Sequence, residues 1–158
     1  MRGALPVAAA LALAACALVP PAVAQQETAM FTAADLDRLD FLLGRWVGTG
    51  PDGTPFYEAY RRTSATTLVS ERYADATFSK IVDGSTVALD GDRITSTWGE
   101  FTWMAEEVAD GYVSFRPLNA PSAFAWRRVD AGTVEVTQNW TDDKGVAQGY
   151  TLTLRKIG

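Results

Sequence analysis

The chain has 158 residues, 14 basic and 19 acidic, with no histidine and a single cysteine. That composition excludes a Ser-His-Asp triad, a Cys-His dyad, a histidine-ligated haem, a thiolate metal site and an internal disulfide within one chain. The formal net charge is −5 and the densest basic spots are only pairs, Arg61-Arg62, Arg127-Arg128 and Arg155-Lys156. Neither suits nucleic acid or an anionic membrane surface as a partner, since phosphate neutralisation needs clustered Lys and Arg.

Residues 1–24 read as a secretory signal peptide. Arg2 is the positive start, an Ala/Leu-rich run extends from Ala4 to Val19, Pro20-Pro21 breaks it, and Ala22-Val23-Ala24 forms a small-x-small cleavage site before Gln25. The run between the prolines is too short for a ~20-residue transmembrane helix. An alternative is that Leu13-Ala14-Ala15-Cys16, which resembles a bacterial lipobox, makes Cys16 a lipidated first residue. A membrane partner is expected only in that case, with the chain anchored to the cell envelope. Otherwise the expected location is periplasmic or secreted. With Cys16 in the leader, an exported domain of about 130 residues has to be stabilised by its core alone.

Residues 25–31 form a polar tether, and 32–158 are expected to be one domain. Thr32 is a candidate N-cap with Asp35 as a capping-box-like partner. Leu36, Leu39 and Leu43 follow at helical spacing with Phe41 and Leu42 nearby, and Gly44 is the stop, so about three helical turns are expected.

After Gly44 the pattern is β-strand to the end. Turn signals recur every 8–12 residues or so: Pro51-Asp52-Gly53, Thr63-Ser64-Ala65, Asp75-Ala76, Asp83-Gly84, Asp90-Gly91-Asp92, Asp110-Gly111, Asn119-Ala120-Pro121, Asp130-Ala131-Gly132 and Asp143-Lys144-Gly145. Runs rich in Thr, Val, Tyr, Phe and Trp lie between them, with plain alternation at Val134/Val136 and at Tyr150/Leu152/Leu154. About ten short antiparallel strands result. Closing them into an all-β, antiparallel up-and-down barrel disposes of their edges, with the single short N-terminal helix covering one end.

The segment Leu39-Asp40-Phe41-Leu42-Leu43-Gly44-Arg45-Trp46-Val47-Gly48-Thr49-Gly50 resembles the opening of the calycin group: lipocalins, fatty-acid-binding proteins and nitrobindin-like barrels. Those families begin with a short helical turn and a Gly-x-Trp motif, here Gly44-Arg45-Trp46. The resemblance implies a structural role for Gly44 and Trp46, with the indole packed across the closed end under a cation from the last strand, for which Arg155 is the candidate. The haem of nitrobindin-like proteins does not carry over, because no histidine is present to ligate it. No cofactor is expected.

Two groups of residues are candidates for chemistry. Phe56, Glu58, Tyr60 and Arg62 share one face of the second strand, and Val69, Glu71 and Tyr73 share one face of the third. If Glu58 pairs opposite Glu71, two carboxylates lie ~5 Å apart and one has a raised pKa suited to acid–base work, with Tyr60 and Tyr73 beside them. If the register differs by one, Glu58 faces Arg72 in an ordinary cross-strand ion pair. The second group is aromatic. Tyr60, Tyr73, Trp98, Trp103, Phe115, Trp126 and Trp140, with Phe124, either fill the barrel or line a cavity, since a ten-stranded barrel is wider than an eight-stranded one. The acidic runs Asp90-Gly91-Asp92 and Asp142-Asp143-Lys144-Gly145 lack EF-hand spacing and read as turn acids, so no metal site is expected. Asn139-Trp140-Thr141 is a formal N-glycosylation sequon in a strand.

The expected function is that of an exported lipocalin-like binding protein for a small apolar or amphipathic molecule, with no catalytic residue required. One alternative is an isomerase or hydrolase working through Glu58, Glu71, Tyr60 and Tyr73. The other is an envelope interaction module without a pocket, marked by an exposed apolar patch.

Overall fold

A computed structural model describes residues 30–158. The leader expected over residues 1–24, Cys16 and most of the tether lie outside the described residues. The chain begins with a helical turn α1 (Ala33–Asp37) and a 3-10 turn (Arg38–Leu42), followed by ten strands. These are β1 (Gly44–Thr49), β2 (Pro55–Ser64), β3 (Thr67–Tyr73), β4 (Ile81–Asp90), β5 (Arg93–Trp98), β6 (Phe101–Ala109), β7 (Tyr112–Pro117), β8 (Ala123–Asp130), β9 (Thr133–Thr141) and β10 (Ala147–Ile157). Every neighbouring pair is antiparallel, and β1 closes on β10, so the sheet is an up-and-down barrel without free edges.

The N-terminal element differs from the three-turn α-helix expected. Asp35 accepts bonds from the Thr32 N–H and hydroxyl, both at 2.9 Å, and so holds the start. The helix then tightens to 3-10 geometry after one turn. At three residues per turn, Leu36, Leu39 and Leu42 eclipse one another. All three are fully buried, whereas Leu43 is only half-buried. Phe31, placed with the tether by composition, is also buried, and its N–H donates to the Asp92 carbonyl at 2.8 Å.

These residues cover the end of the barrel where β1 begins. Trp46 lies across that end, 1% exposed, and its indole N–H donates to the Leu42 carbonyl at 2.6 Å. The cation over its ring is Lys156, with Nζ 5.4 Å from the centroid. This corrects the expectation for Arg155. In the β1–β10 ladder Lys156 pairs with Trp46 and so shares its face, while Arg155 pairs with Val47 and points outward. Gly44 has φ +122°, which only glycine adopts readily, and a Cβ there would meet the Lys156 side chain. Arg62 ties helix to barrel: its guanidinium donates to Asp40 and Asp37, each at 2.7 Å, and to the Leu36 carbonyl at 3.3 Å.

Asp83-Gly84 is not a turn. It lies inside β4, and the chain reverses at Asp75–Lys80, where the Ala74 N–H bonds the Lys80 carbonyl. A bulge at Val82 shifts the β3–β4 register, from Arg72↔Asp83 to Tyr73↔Ile81. Gly84 is required there by close approach, because an added Cβ would stand 2.5 Å from the Ser70 carbonyl oxygen.

The inward-facing residues change character along the barrel axis. From the closed end outward they run Leu68, Ser70, Arg72 on β3; Val87, Ser85, Asp83 on β4; Ile94, Ser96, Trp98 on β5; Val134, Val136, Gln138 on β9; and Leu154, Leu152, Tyr150 on β10. The closed half is therefore a packed apolar core, while polar and aromatic groups face the interior of the other half.

Candidate functional site

The open half of the barrel encloses a cavity of about 570 Å³. Its floor is made by two rings from strands that are not neighbours: Tyr60 on β2 meets Trp126 on β8 edge to face, with centroids 5.9 Å apart. Below this contact lies the aliphatic core, and Phe115 packs edge to face on Trp126 with centroids 5.6 Å apart.

One wall is polar and comes from β2 to β5. Glu58 is 9% exposed and lies opposite Arg72 in the β2–β3 ladder. The Arg72 guanidinium donates to Glu58 Oε1 from a terminal nitrogen at 2.6 Å and from Nε at 3.2 Å. The Tyr60 hydroxyl donates to the other carboxylate oxygen, Oε2, at 2.7 Å. Beyond the pair, the Ser70 and Ser85 hydroxyls bond each other at 2.7 Å, and Ser96 is 2% exposed. Burial, together with the charge and hydrogen bond of Glu58, pushes the Tyr60 phenol well above its ordinary pKa of 10.0. It is a neutral donor across the physiological range. Burial disfavours the charge on Arg72, but the Glu58 carboxylate more than compensates and holds it cationic.

The facing wall is aromatic. Phe124 and Trp126 on β8 stand across the ring of ten strands from β3, with Trp103 on β6 beside them. Trp103 meets Phe124 edge to face at 5.4 Å, and its indole N–H is satisfied by the Ser122 carbonyl at 2.6 Å. Phe56, Trp98, Phe101 and Tyr150 stand nearer the mouth. The mouth lies at the end opposite the helix, and Trp98 there is 45% exposed.

The residues singled out from the sequence divide accordingly. Tyr60, Trp98, Trp103 and Trp126 line the cavity. Phe115 is 1% exposed and outside the lining, stacked on Phe124 at 4.7 Å. Trp140 stands at the rim against Tyr150 and is outside the lining. Tyr73 and Glu71 do not reach the interior. The register that sets Glu58 opposite Arg72 sends both to the outer face, where the Tyr73 hydroxyl donates to Glu71 Oε2 at 2.7 Å and Glu71 pairs with Arg61. Tyr73 also packs against Phe78, with centroids 5.0 Å apart. Hydrogen bonds from Arg61 and Tyr73 hold the Glu71 carboxyl below its usual range. No pair of facing carboxylates forms from Glu58 and Glu71.

Sequence reading missed Ser70, Asp83, Ser85, Ser96 and Gln138 as lining residues. Their signal was parity, since each lies two or four positions from a core aliphatic on the same strand. Asp142, the turn acid beside the mouth, accepts the Lys144 and Val146 N–H groups at 2.9 Å each.

No family model matches the chain, and no curated protein matches it. Among solved structures it is similar to a protein of unknown function from the DUF3598 family of Nostoc punctiforme PCC 73102, at 18% identity over 84% of this chain with a TM-score of 0.49. The chain spans about half the length of that protein, 51%. A redesigned β-barrel is similar at 13% identity and a TM-score of 0.37, over 75% of this chain and 94% of that one. EF1p2_mFAP2b bound to DFHBI is similar at 14% identity and a TM-score of 0.39, over 76% of this chain and 97% of that one. The likeness lies in the barrel fold alone.

Proposed function

We propose that this chain is an exported binding protein of calycin-like architecture that holds one small amphipathic molecule in the open half of its barrel. The observation that carries the reading is the two-walled cavity of about 570 Å³, aromatic on one side and polar on the other. Small-molecule sites characteristically combine apolar lining with a few convergent polar groups. The Trp103, Phe124 and Trp126 rings supply affinity by burial, and Arg72, Glu58, Ser70 and Ser96 orient a polar head. The Gly44-Arg45-Trp46 opening, with Trp46 across the closed end beneath Lys156, supports the calycin-like part, and the leader pattern of residues 1–24 supports export. Native mass spectrometry of the chain purified from its own host tests the reading. A discrete added mass, released on denaturation and extractable into organic solvent, is expected. Bare protein alone, with no small molecule taken up on incubation with a host extract, overturns it.

A second reading, an interaction module, is favoured by exposed apolar residues at the mouth: Ile81, Val82, Leu118 and Val146 are each 50–54% exposed. It predicts a chain that associates through this rim while its interior takes no guest. Sedimentation at rising concentration, run beside the mass measurement, separates the two.

A further inference from the structure

We infer that the guest carries a positive charge: an organic ammonium on an aromatic or apolar body. This rests on reading the cavity as a ligand site and adds the chemical class. Three carboxylates, Asp52, Glu58 and Asp83, line the cavity against one cation, Arg72. Arg72 is already engaged. Two of its nitrogens donate to Glu58 and its guanidinium lies 5.1 Å from the Phe56 centroid, while Asp83 stands opposite it in the β3–β4 ladder without coming within ion-pair distance. A carboxylate guest would have to displace Glu58 from Arg72 or sit beside two like charges in a partly desolvated space. An ammonium meets the opposite situation. Asp83 has no ion-pair partner within 4.0 Å among the described residues, and the hydroxyl oxygens of Ser70, Ser85 and Ser96 are acceptors. The indoles of Trp103 and Trp126 line the opposite wall and that of Trp98 the mouth, and indole is the best of the aromatic rings for attracting a cation.

The surroundings carry the same sign. The loops at the mouth hold Asp52, Asp75, Glu100, Asp142 and Asp143 against Lys80 and Lys144. A concave, low-dielectric site focuses such a field and raises the local concentration of cations.

The test is calorimetric titration of the full chain at pH 7 and low salt with three probes that share one ring system: 2-naphthylmethylammonium, 2-naphthylmethanol and 2-naphthoate. The ammonium is expected to bind about tenfold more tightly than the carboxylate, with the alcohol between them. That preference should shrink as salt rises. Asp83→Asn should narrow it, as should Asp52→Asn, whose amide oxygen still accepts the Thr54 N–H. A carboxylate that binds as tightly as the ammonium, or more tightly, overturns the inference and leaves the cavity as a ligand site. Failure of all three probes to bind overturns both.

Discussion

Glu58 and Arg72 stand directly opposite each other on β2 and β3, joined through a single carboxylate oxygen, while the other oxygen accepts the Tyr60 hydroxyl. Tyr60 lies at the cavity floor level with Ser70, and the Glu58–Arg72 pair stands one inward-facing step nearer the mouth on the polar wall. Removing one partner leaves the other charge short of hydrogen bonds at a largely buried site. A fully buried pair broken this way costs ~3–5 kcal/mol. Arg72 is 43% exposed, so water takes over part of the loss. Glu58→Gln and Arg72→Gln are each expected to destabilise the chain by about 1–3 kcal/mol, and the double variant by less than their sum. Denaturant unfolding of the four proteins measures the cycle.

The same group makes stability depend on alkaline pH. The folded pKa of Tyr60 lies above its unfolded value of 10.0, so folding favours the neutral phenol. The stabilisation is complete below pH 10 and is lost as pH rises above it. An alkaline absorbance titration should show the exposed tyrosines ionising first and Tyr60 only with unfolding. In Tyr60→Phe the last step disappears.

At the closed end the relevant residues are Arg62, Trp46 and Lys156. Arg62→Ala removes the bonds to Asp37, Asp40 and the Leu36 carbonyl, and is expected to cost about 1–2 kcal/mol by thermal unfolding. Trp46→Ala removes the plug itself and should cost about 3–5 kcal/mol. Lys156→Ala loses about 0.5–1 kcal/mol of cation–π attraction. Arg155→Ala should be near neutral. A larger loss at Arg155 than at Lys156 would contradict the register of β1 on β10.

Gly84 gives a sharper test of the β3–β4 pairing. A methyl group there meets the Ser70 carbonyl at 2.5 Å, and backbone cannot swing aside as a side chain can. Gly84→Ala should cost about 1–3 kcal/mol by overpacking. Gly132→Ala meets nothing closer than 3.7 Å and is expected to be neutral or slightly stabilising. If Asp83-Gly84 were instead a hairpin turn, Gly84→Ala would act through backbone conformation and leave the chemical shifts around Ser70 unchanged.

The barrel was legible because its signals are local: turn residues between alternating runs, and a chain length suited to closure. Its misreadings share a physical cause. Asp83-Gly84 carries a turn signature, but Gly84 is there for close packing against Ser70, and local sequence does not separate the two uses of glycine. The helix shortened because the chain buries Leu36, Leu39 and Leu42, three apart, which 3-10 geometry stacks on one side, whereas the Leu36/Leu39/Leu43 spacing suits an α-helix equally well and local sequence does not choose between them. The site depended on one register. With Glu58 opposite Arg72, Tyr60 lies inside and Tyr73 outside, and a shift of one residue would have reversed the third strand. The polar wall was hidden for another reason. Ser70, Ser85 and Ser96 are unremarkable singly, and gain meaning only when inward parity is known on three adjacent strands.

The central claim, that the open half of the barrel takes a guest between its polar and aromatic walls, is tested most directly by titrating the chain with the neutral fluorophore N-phenyl-1-naphthylamine. Energy transfer from the cavity tryptophans Trp98, Trp103 and Trp126 is the readout. The predicted result is saturable transfer at one probe per chain, abolished in a folded Ser96→Phe variant whose ring fills the space opposite Trp103. Absence of transfer in the wild-type chain, or transfer undiminished when the cavity is plugged, would contradict it.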